Sequence, residues 1–135
     1  METSSFRILI ADNFEPWRRY VSSTLEKDQS LEIVGMATDG FEAVDKAIEL
    51  KPHLVLLRVG LPKLNGLDVA KRISEAVPGV KVLFATQNTD PDVMTSALSN
   101  GAHGYLWKMD ASRDLLPAIR AIRQGETFIG SVMKG

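Results

Sequence analysis

The sequence predicts an α/β fold: a doubly wound, five-stranded parallel sheet with helices on both faces. Three observations carry that expectation. Short apolar runs alternate five times with amphipathic stretches along the 135 residues. The connections between them are short, and strands joined this way pair in parallel through right-handed crossovers. One run, Leu54-Val55-Leu56-Leu57, is apolar without alternation, the pattern of a central strand covered on both faces.

Each element follows in order. Phe6–Ala11 forms the first strand and ends at Asp12-Asn13. Asn13 is placed as N-cap of the first helix, where Pro16 is tolerated because a first-turn N–H has no partner. Phe14, Trp17, Val21 and Leu25 then recur at helical spacing. Leu31–Ala37 is the second strand. Asp39-Gly40-Phe41-Glu42 has the form of a capping box, opening a helix with Phe41, Val44 and Ile48 on one face. Pro52 stops that helix, and His53–Val59 is the third strand. A loop, Gly60–Gly66, leads to a third helix marked by Leu67, Ala70, Ile73 and Val77 and closed by Pro78-Gly79. Val80–Ala85 is the fourth strand. Thr89-Asp90-Pro91-Asp92 starts the fourth helix, with Val93, Met94, Ala97 and Leu98 turned inward. Gly104–Trp107 is the fifth strand, and Leu115, Ile119 and Ile122 face a fifth helix ending near Gly125. The chain reads as a single domain over 1–135, with Thr127–Gly135 as a tail or the start of a linker.

Composition narrows the function. Apolar residues make up 44% and charged residues 24% of the chain, which suits a globular core and excludes disorder. Sixteen basic and seventeen acidic side chains leave a net charge of −1, so no bulk field grips nucleic acid or an anionic membrane. There is no cysteine, which excludes thiolate catalysis and cysteine-ligated zinc. No apolar run approaches the roughly 18 residues of a membrane span. No targeting segment is visible, and a cytoplasmic location is the expectation.

In an open parallel sheet, function gathers at the carboxyl ends of the strands. Those ends carry Asp12 and Asn13, Arg58, Thr86 and Lys108, each directly after an apolar run. Singly, each suits a strand-end cap; together they converge on one crevice. His53 and His103 lie at strand beginnings, away from the crevice, and are expected to be structural or solvent-facing. Trp17, at helical spacing with Val21, is expected in the core. Trp107 is expected to be partly exposed, and Arg18-Arg19 and Lys71-Arg72 to be solvated surface charges.

Several motifs, in order and at these separations, resemble the receiver domain of bacterial two-component response regulators. Ile8-Leu9-Ile10-Ala11-Asp12-Asn13 resembles its first strand and acidic pair. Leu56-Leu57-Arg58-Val59-Gly60-Leu61-Pro62-Lys63-Leu64-Asn65-Gly66 resembles its phosphoacceptor strand and loop. Ala85-Thr86 and Gly101-Ala102-His103-Gly104-Tyr105-Leu106-Trp107-Lys108 resemble the switch hydroxyl, switch aromatic and lysine. Val34-Gly35, Asp39-Gly40 and Gly125-Glu126 further resemble the subfamily whose receivers precede a helix-turn-helix output domain, and no such domain falls within these residues. The resemblance implies a flavodoxin-like fold with strand order 2-1-3-4-5. It implies an aspartate after the third strand that accepts a phosphoryl group, with magnesium held by that aspartate, the acidic pair and a loop carbonyl.

The decisive positions depart from that pattern. Arg58 stands where the resemblance places the phosphoacceptor, and a guanidinium offers no carboxylate to form an acyl phosphate. Asn13 stands at the second acidic position and brings a carbonyl oxygen without charge. One acid, Asp12, faces two bases, Arg58 and Lys108, for a formal charge of +1, where the family pattern is negative. A magnesium site depends on ligand charge, so it is expected to be lost or weak, with Glu15 as the one compensating carboxylate nearby. Thr86, Tyr105 and Lys108 keep the switch and phosphate-contact types. Arg58 is expected to reach Asp12 first and Glu15 second, or to extend into water.

The expected function is therefore a degenerate receiver in signal transduction: not an enzyme, without cofactor, acting on protein partners such as a histidine kinase. A homodimer through 89–124, with Trp107 and Leu116 as anchors, is a further expectation. No direct contact with nucleic acid or membrane is expected. An alternative is the receiver of a phosphorelay transcriptional regulator whose acceptor was altered or whose output domain is missing. A flavodoxin-like cofactor-binding enzyme is a third reading, but it needs a phosphate-cradling loop after the first strand, and Asp12-Asn13-Phe14-Glu15-Pro16 offers none.

Overall fold

A computed structural model describes residues 5–87 and 90–130. Strands β1 (Phe6–Ala11), β2 (Leu31–Ala37), β3 (Leu54–Leu57), β4 (Lys81–Thr86), β5 (Gly104–Trp107) and β6 (Phe128–Ile129) form one sheet in the order β2-β1-β3-β4-β5-β6. Every pairing is parallel. The expected order of the first five strands is present, and a sixth strand extends it. Of the 127–135 stretch expected as a tail, Phe128 and Ile129 join the sheet beside β5; residues 131–135 lie outside the described ones.

Helices α1 (Glu15–Leu25), α2 (Gly40–Leu50), α3 (Gly66–Ala76), α4 (Pro91–Ser99) and α5 (Ala111–Arg123) link the strands. A 3-10 turn, Lys108–Asp110, connects β5 to α5. Two apolar clusters fill the two faces. Leu9, Val55, Val82, Phe84 and Tyr105 meet α2, α3 and α4 on one side. Ile8, Ile10, Leu56, Leu83 and Leu106 meet α1 and α5 on the other. Residues of one strand alternate between the clusters because successive side chains point to opposite faces.

Most element assignments stand, with differences in detail. Helix α1 begins at Glu15 behind Phe14, which makes no side-chain cap, so Asn13 is not the N-cap. Instead Asp12 Oδ1 accepts from Phe14 N at 2.8 Å and turns the chain out of β1. Phe14 itself is exposed, although its spacing suggested an inward position. Helix α2 opens as expected: Asp39 Oδ1 accepts from Glu42 N at 2.9 Å, and Glu42 Oε1 accepts from Thr38 N at 2.6 Å. Those bonds hold both carboxyls below their usual range. Its inward face, however, is Gly40, Ala43 and Ala47, while Phe41 and Ile48 are exposed. A side chain on Gly40 would run into the Leu64 carbonyl, so α2 lies too close to its neighbours for large residues on that face. The Thr89 start of α4 lies outside the described residues; Asp90 caps the helix by accepting from Asp92 N at 2.9 Å.

Both histidines serve the backbone, as expected. His53 Nδ1 accepts from Arg7 N at 2.8 Å, and its ring stacks on Phe6. His103 Nδ1 accepts from Val82 N at 3.2 Å, and burial pushes its pKa below the ordinary histidine value.

Candidate functional site

The carboxyl ends of β1, β3, β4 and β5 meet in one crevice. Asp12 follows β1 and is buried. Its N–H is tied to the Ala37 carbonyl at 2.9 Å. Its two carboxylate oxygens are both engaged: Oδ1 by Phe14 N at 2.8 Å, Oδ2 by Lys108 Nζ at 2.7 Å. Lys108 reaches Asp12 from the end of β5 with only 7% of its side chain exposed. Its ammonium also lies 4.9 Å from the centre of the Trp17 ring, a cation–π contact. Burial lowers the Lys108 pKa, the Asp12 bond opposes that shift, and the nearby Arg58 charge adds to it.

Arg58 follows β3, and its N–H donates to the Ala11 carbonyl at 3.0 Å, extending the β1–β3 ladder. The guanidinium turns to Asn13, where Nη1 donates to Oδ1 at 2.8 Å. The same nitrogen stands 4.0 Å from Asp12 Oδ1, an ion pair without a hydrogen bond. The expected reach to Asp12 is therefore present at long range, and the closer contact is to Asn13. Glu15 belongs elsewhere: it is 61% exposed and pairs with Arg19 Nη2 at 3.3 Å. It is not the compensating acid of the crevice.

The loop after Arg58 is held in place by Gly66. Gly66 N donates to the Val59 carbonyl at 2.6 Å, and a side chain there would collide with the Arg58 carbonyl oxygen. Only glycine lets α3 start against the end of β3, which fixes the backbone that carries Arg58.

The switch-type residues line the β4 and β5 side. Thr86 and Tyr105 are buried. The Tyr105 ring packs on Phe84. Its hydroxyl lies beside Thr86 without a well-formed hydrogen bond, and burial raises its pKa. Trp107 is half-buried as expected, and its Nε1 donates to the Gln87 carbonyl at 3.2 Å.

Two features were not legible beforehand. Arg18, expected to be a solvated charge, donates through Nη1 to the Asp12 carbonyl at 2.9 Å and adds a third cation at the crevice. Its place one residue after the buried Trp17 was the available signal. A groove of about 410 Å³ opens next to the crevice, walled by Phe14, Trp17, Tyr20, Lys108 and Met109. Phe14, Tyr20 and Met109 are three of the large apolar side chains that the chain exposes, Met109 at 74%.

The donor set does not fit magnesium. A hard dication takes several oxygen ligands with negative charge. Here both Asp12 carboxylate oxygens already accept a hydrogen bond, the Asn13 oxygen accepts from a guanidinium, and Lys108, Arg58 and Arg18 bring three positive charges to the crevice. Among the described residues no group of three or more His, Asp or Glu side chains is placed to hold a metal ion.

A doubly wound sheet whose acid, strand-three end, hydroxyl and lysine converge at one edge defines a signal-receiving module. The chain belongs to the response regulator receiver domain family, whose model matches residues 8–120. It is the receiver domain of a two-component response regulator. Among its relatives, the oxygen regulatory protein NreC of Staphylococcus epidermidis is 34% identical over 124 residues, 91% of this chain and 57% of that protein. The NreC protein of Staphylococcus haemolyticus is 35% identical over the same shares. The chain thus spans little more than half the length of these relatives. Among solved structures, the receiver of Thermotoga maritima CheB has a TM-score of 0.79 at 28% identity, covering 86% of this chain and 94% of that one. A LuxR-family response regulator from Aurantimonas sp. SI85-9A1 has the same fold, with a TM-score of 0.92 at 24% identity over 97% of this chain and 94% of that one. The family consists of signalling proteins rather than classical enzymes. Among the described residues no helix is long and apolar enough to cross a membrane.

Proposed function

We propose that this receiver signals through protein–protein contact and accepts no phosphoryl group. The observation that carries this reading is Arg58 at the end of β3, with its guanidinium bonded to Asn13 at 2.8 Å. Acyl phosphate formation needs a carboxylate nucleophile in line with the donor. The one carboxylate of the crevice, Asp12, is locked by Lys108 and Phe14 N. Magnesium binding is lost or weak on the same ground. In this reading residues 1–135 form one receiver-like domain that has no catalytic residue and no cofactor and works in the cytoplasm.

Its partners are proteins, a histidine kinase or another signalling protein. The exposed Phe14, Tyr20 and Met109 beside the crevice support that reading, because exposed apolar groups around a groove favour protein contact. The net charge of −1 argues against direct nucleic-acid binding by these residues. A second reading is favoured by the greater length of the relatives: the same receiver working within a longer transcriptional regulator. Both readings share the Arg58 argument.

The test is incubation with acetyl phosphate and magnesium, followed by intact-mass spectrometry. The expected result is an unchanged mass. A stoichiometric, acid-labile phosphoryl adduct would overturn the reading.

A further inference from the structure

We propose that the Arg58 crevice is a non-covalent oxyanion site, taking a phosphate or carboxylate group at the guanidinium. It deepens the reading above, since it rests on Arg58 being a stable cation there. The Arg58 guanidinium has five N–H donors, and among the described residues its one hydrogen bond goes to Asn13. The carboxylate that would ordinarily neutralise it bonds Phe14 N and Lys108 instead, and stands 4.0 Å away. The side chain is 31% exposed at the mouth of the crevice. Gly60 leaves it open: the nearest atom to a side chain placed there is Arg58 Nε, at 3.6 Å. With no side chain at 60, nothing at that position shields the guanidinium.

The surrounding field has the right sign. Lys108 and Arg18 both stand at Asp12, so the crevice holds three positive groups against one carboxylate. Glu15 is turned away to Arg19. The eleven-residue helix α1 begins at Glu15, two residues after Asn13, and directs its positive N-terminal end to the same edge. A guanidinium presents parallel N–H bonds that match two oxygens of a carboxylate or phosphate. The anion is either a free phosphate group or a carboxylate on a protein partner, and the two share this chemistry.

The experiment titrates the protein with inorganic phosphate, and separately with acetate, at constant ionic strength. The readouts are the Arg58 Nε–H resonance and the fluorescence of Trp17, whose ring lies under Lys108. Saturable change in both is expected, at least ~10-fold weaker in Arg58→Lys, which loses the paired donors, and absent in Arg58→Gln. Arg120→Gln, a surface change far from the crevice, is expected to bind as the unmodified protein does. Saturation by phosphate alone supports a phosphate-group ligand; saturation by acetate of similar strength supports a partner's carboxylate. No saturation by either anion, or equal saturation in Arg58→Gln, overturns the proposal. No phosphoryl donor is present, so this failure is separate from a failure of the mass-spectrometric test.

Discussion

At the scale of single residues, the crevice is organised by the partners of one carboxylate. Asp12 spends one oxygen on the turn at Phe14 and the other on Lys108. Arg58 hydrogen-bonds Asn13 and stands 4.0 Å from Asp12 Oδ1. The two cations therefore contribute unequally to stability. Lys108 is almost fully buried, and removing it leaves Asp12 buried without its close partner. Lys108→Met should destabilise the fold by about 3 kcal/mol, the range for breaking a buried pair. Arg58 is partly exposed and water screens its longer pairing, so Arg58→Gln should cost less than about 1 kcal/mol. Urea unfolding of both variants reads the difference, and equal losses would show that Asp12 does not discriminate between them. The identity of the crevice residues was legible in the sequence, because each strand end follows an apolar run. Their partners were legible only in part: both Lys108 and Arg58 stand at Asp12, but the Arg58 hydrogen bond goes to Asn13. Glu15 pointing to Arg19, and Arg18 turning in to the Asp12 carbonyl, are rotamer outcomes that spacing does not encode.

At the scale of elements, periodicity located every helix but misjudged some of their faces. Hydrophobicity singles out Phe41 and Ile48 on α2, whereas close packing selects Gly40, Ala43 and Ala47. Phe41 stays exposed, with the Arg72 guanidinium 5.7 Å from its ring centre. Helix α5 matched its expected face of Leu115, Ile119 and Ile122, and it carries a cost that the face pattern hides. Pro117 sits inside it and supplies no N–H to the Arg113 carbonyl one turn earlier. The residue is exposed, so replacing it opens no cavity. Pro117→Ala should raise stability by about 1–2 kcal/mol, below the full ~3 kcal/mol helix-interior difference because the backbone has already adapted. A thermal melt with an unchanged or lower midpoint would contradict this account. The two residues of β6 escaped notice because so short a strand has no period of its own; it forms only because β5 offers an edge.

At the scale of the whole molecule, alternation of strands and helices made the layers legible, and the receiver resemblance supplied the strand order. Self-association is a separate matter. The region 89–124 was expected to carry it through Trp107 and Leu116, with residue 89 outside the described ones. Trp107 packs against the α2–α4 side of the sheet and Leu116 against the α1–α5 side, so the two do not anchor one interface in the same manner. We expect a reversible dimer by sedimentation equilibrium that only one of Trp107→Ala and Leu116→Ser dissolves; a monomer at high concentration would rule the pairing out. The sixth strand has a mechanical consequence. Phe128 N holds the His103 carbonyl at 3.1 Å and Gly130 N holds the Tyr105 carbonyl at 2.9 Å. In a parallel pair such bonds are evenly spaced and slant from one strand to the next. Tension along the chain at Gly130 therefore loads both in shear together, rather than peeling them one after the other. The force passes into the backbone of β5, and Lys108 stands directly at its end. A pull at one margin of the sheet is in this way geared to the floor of the crevice.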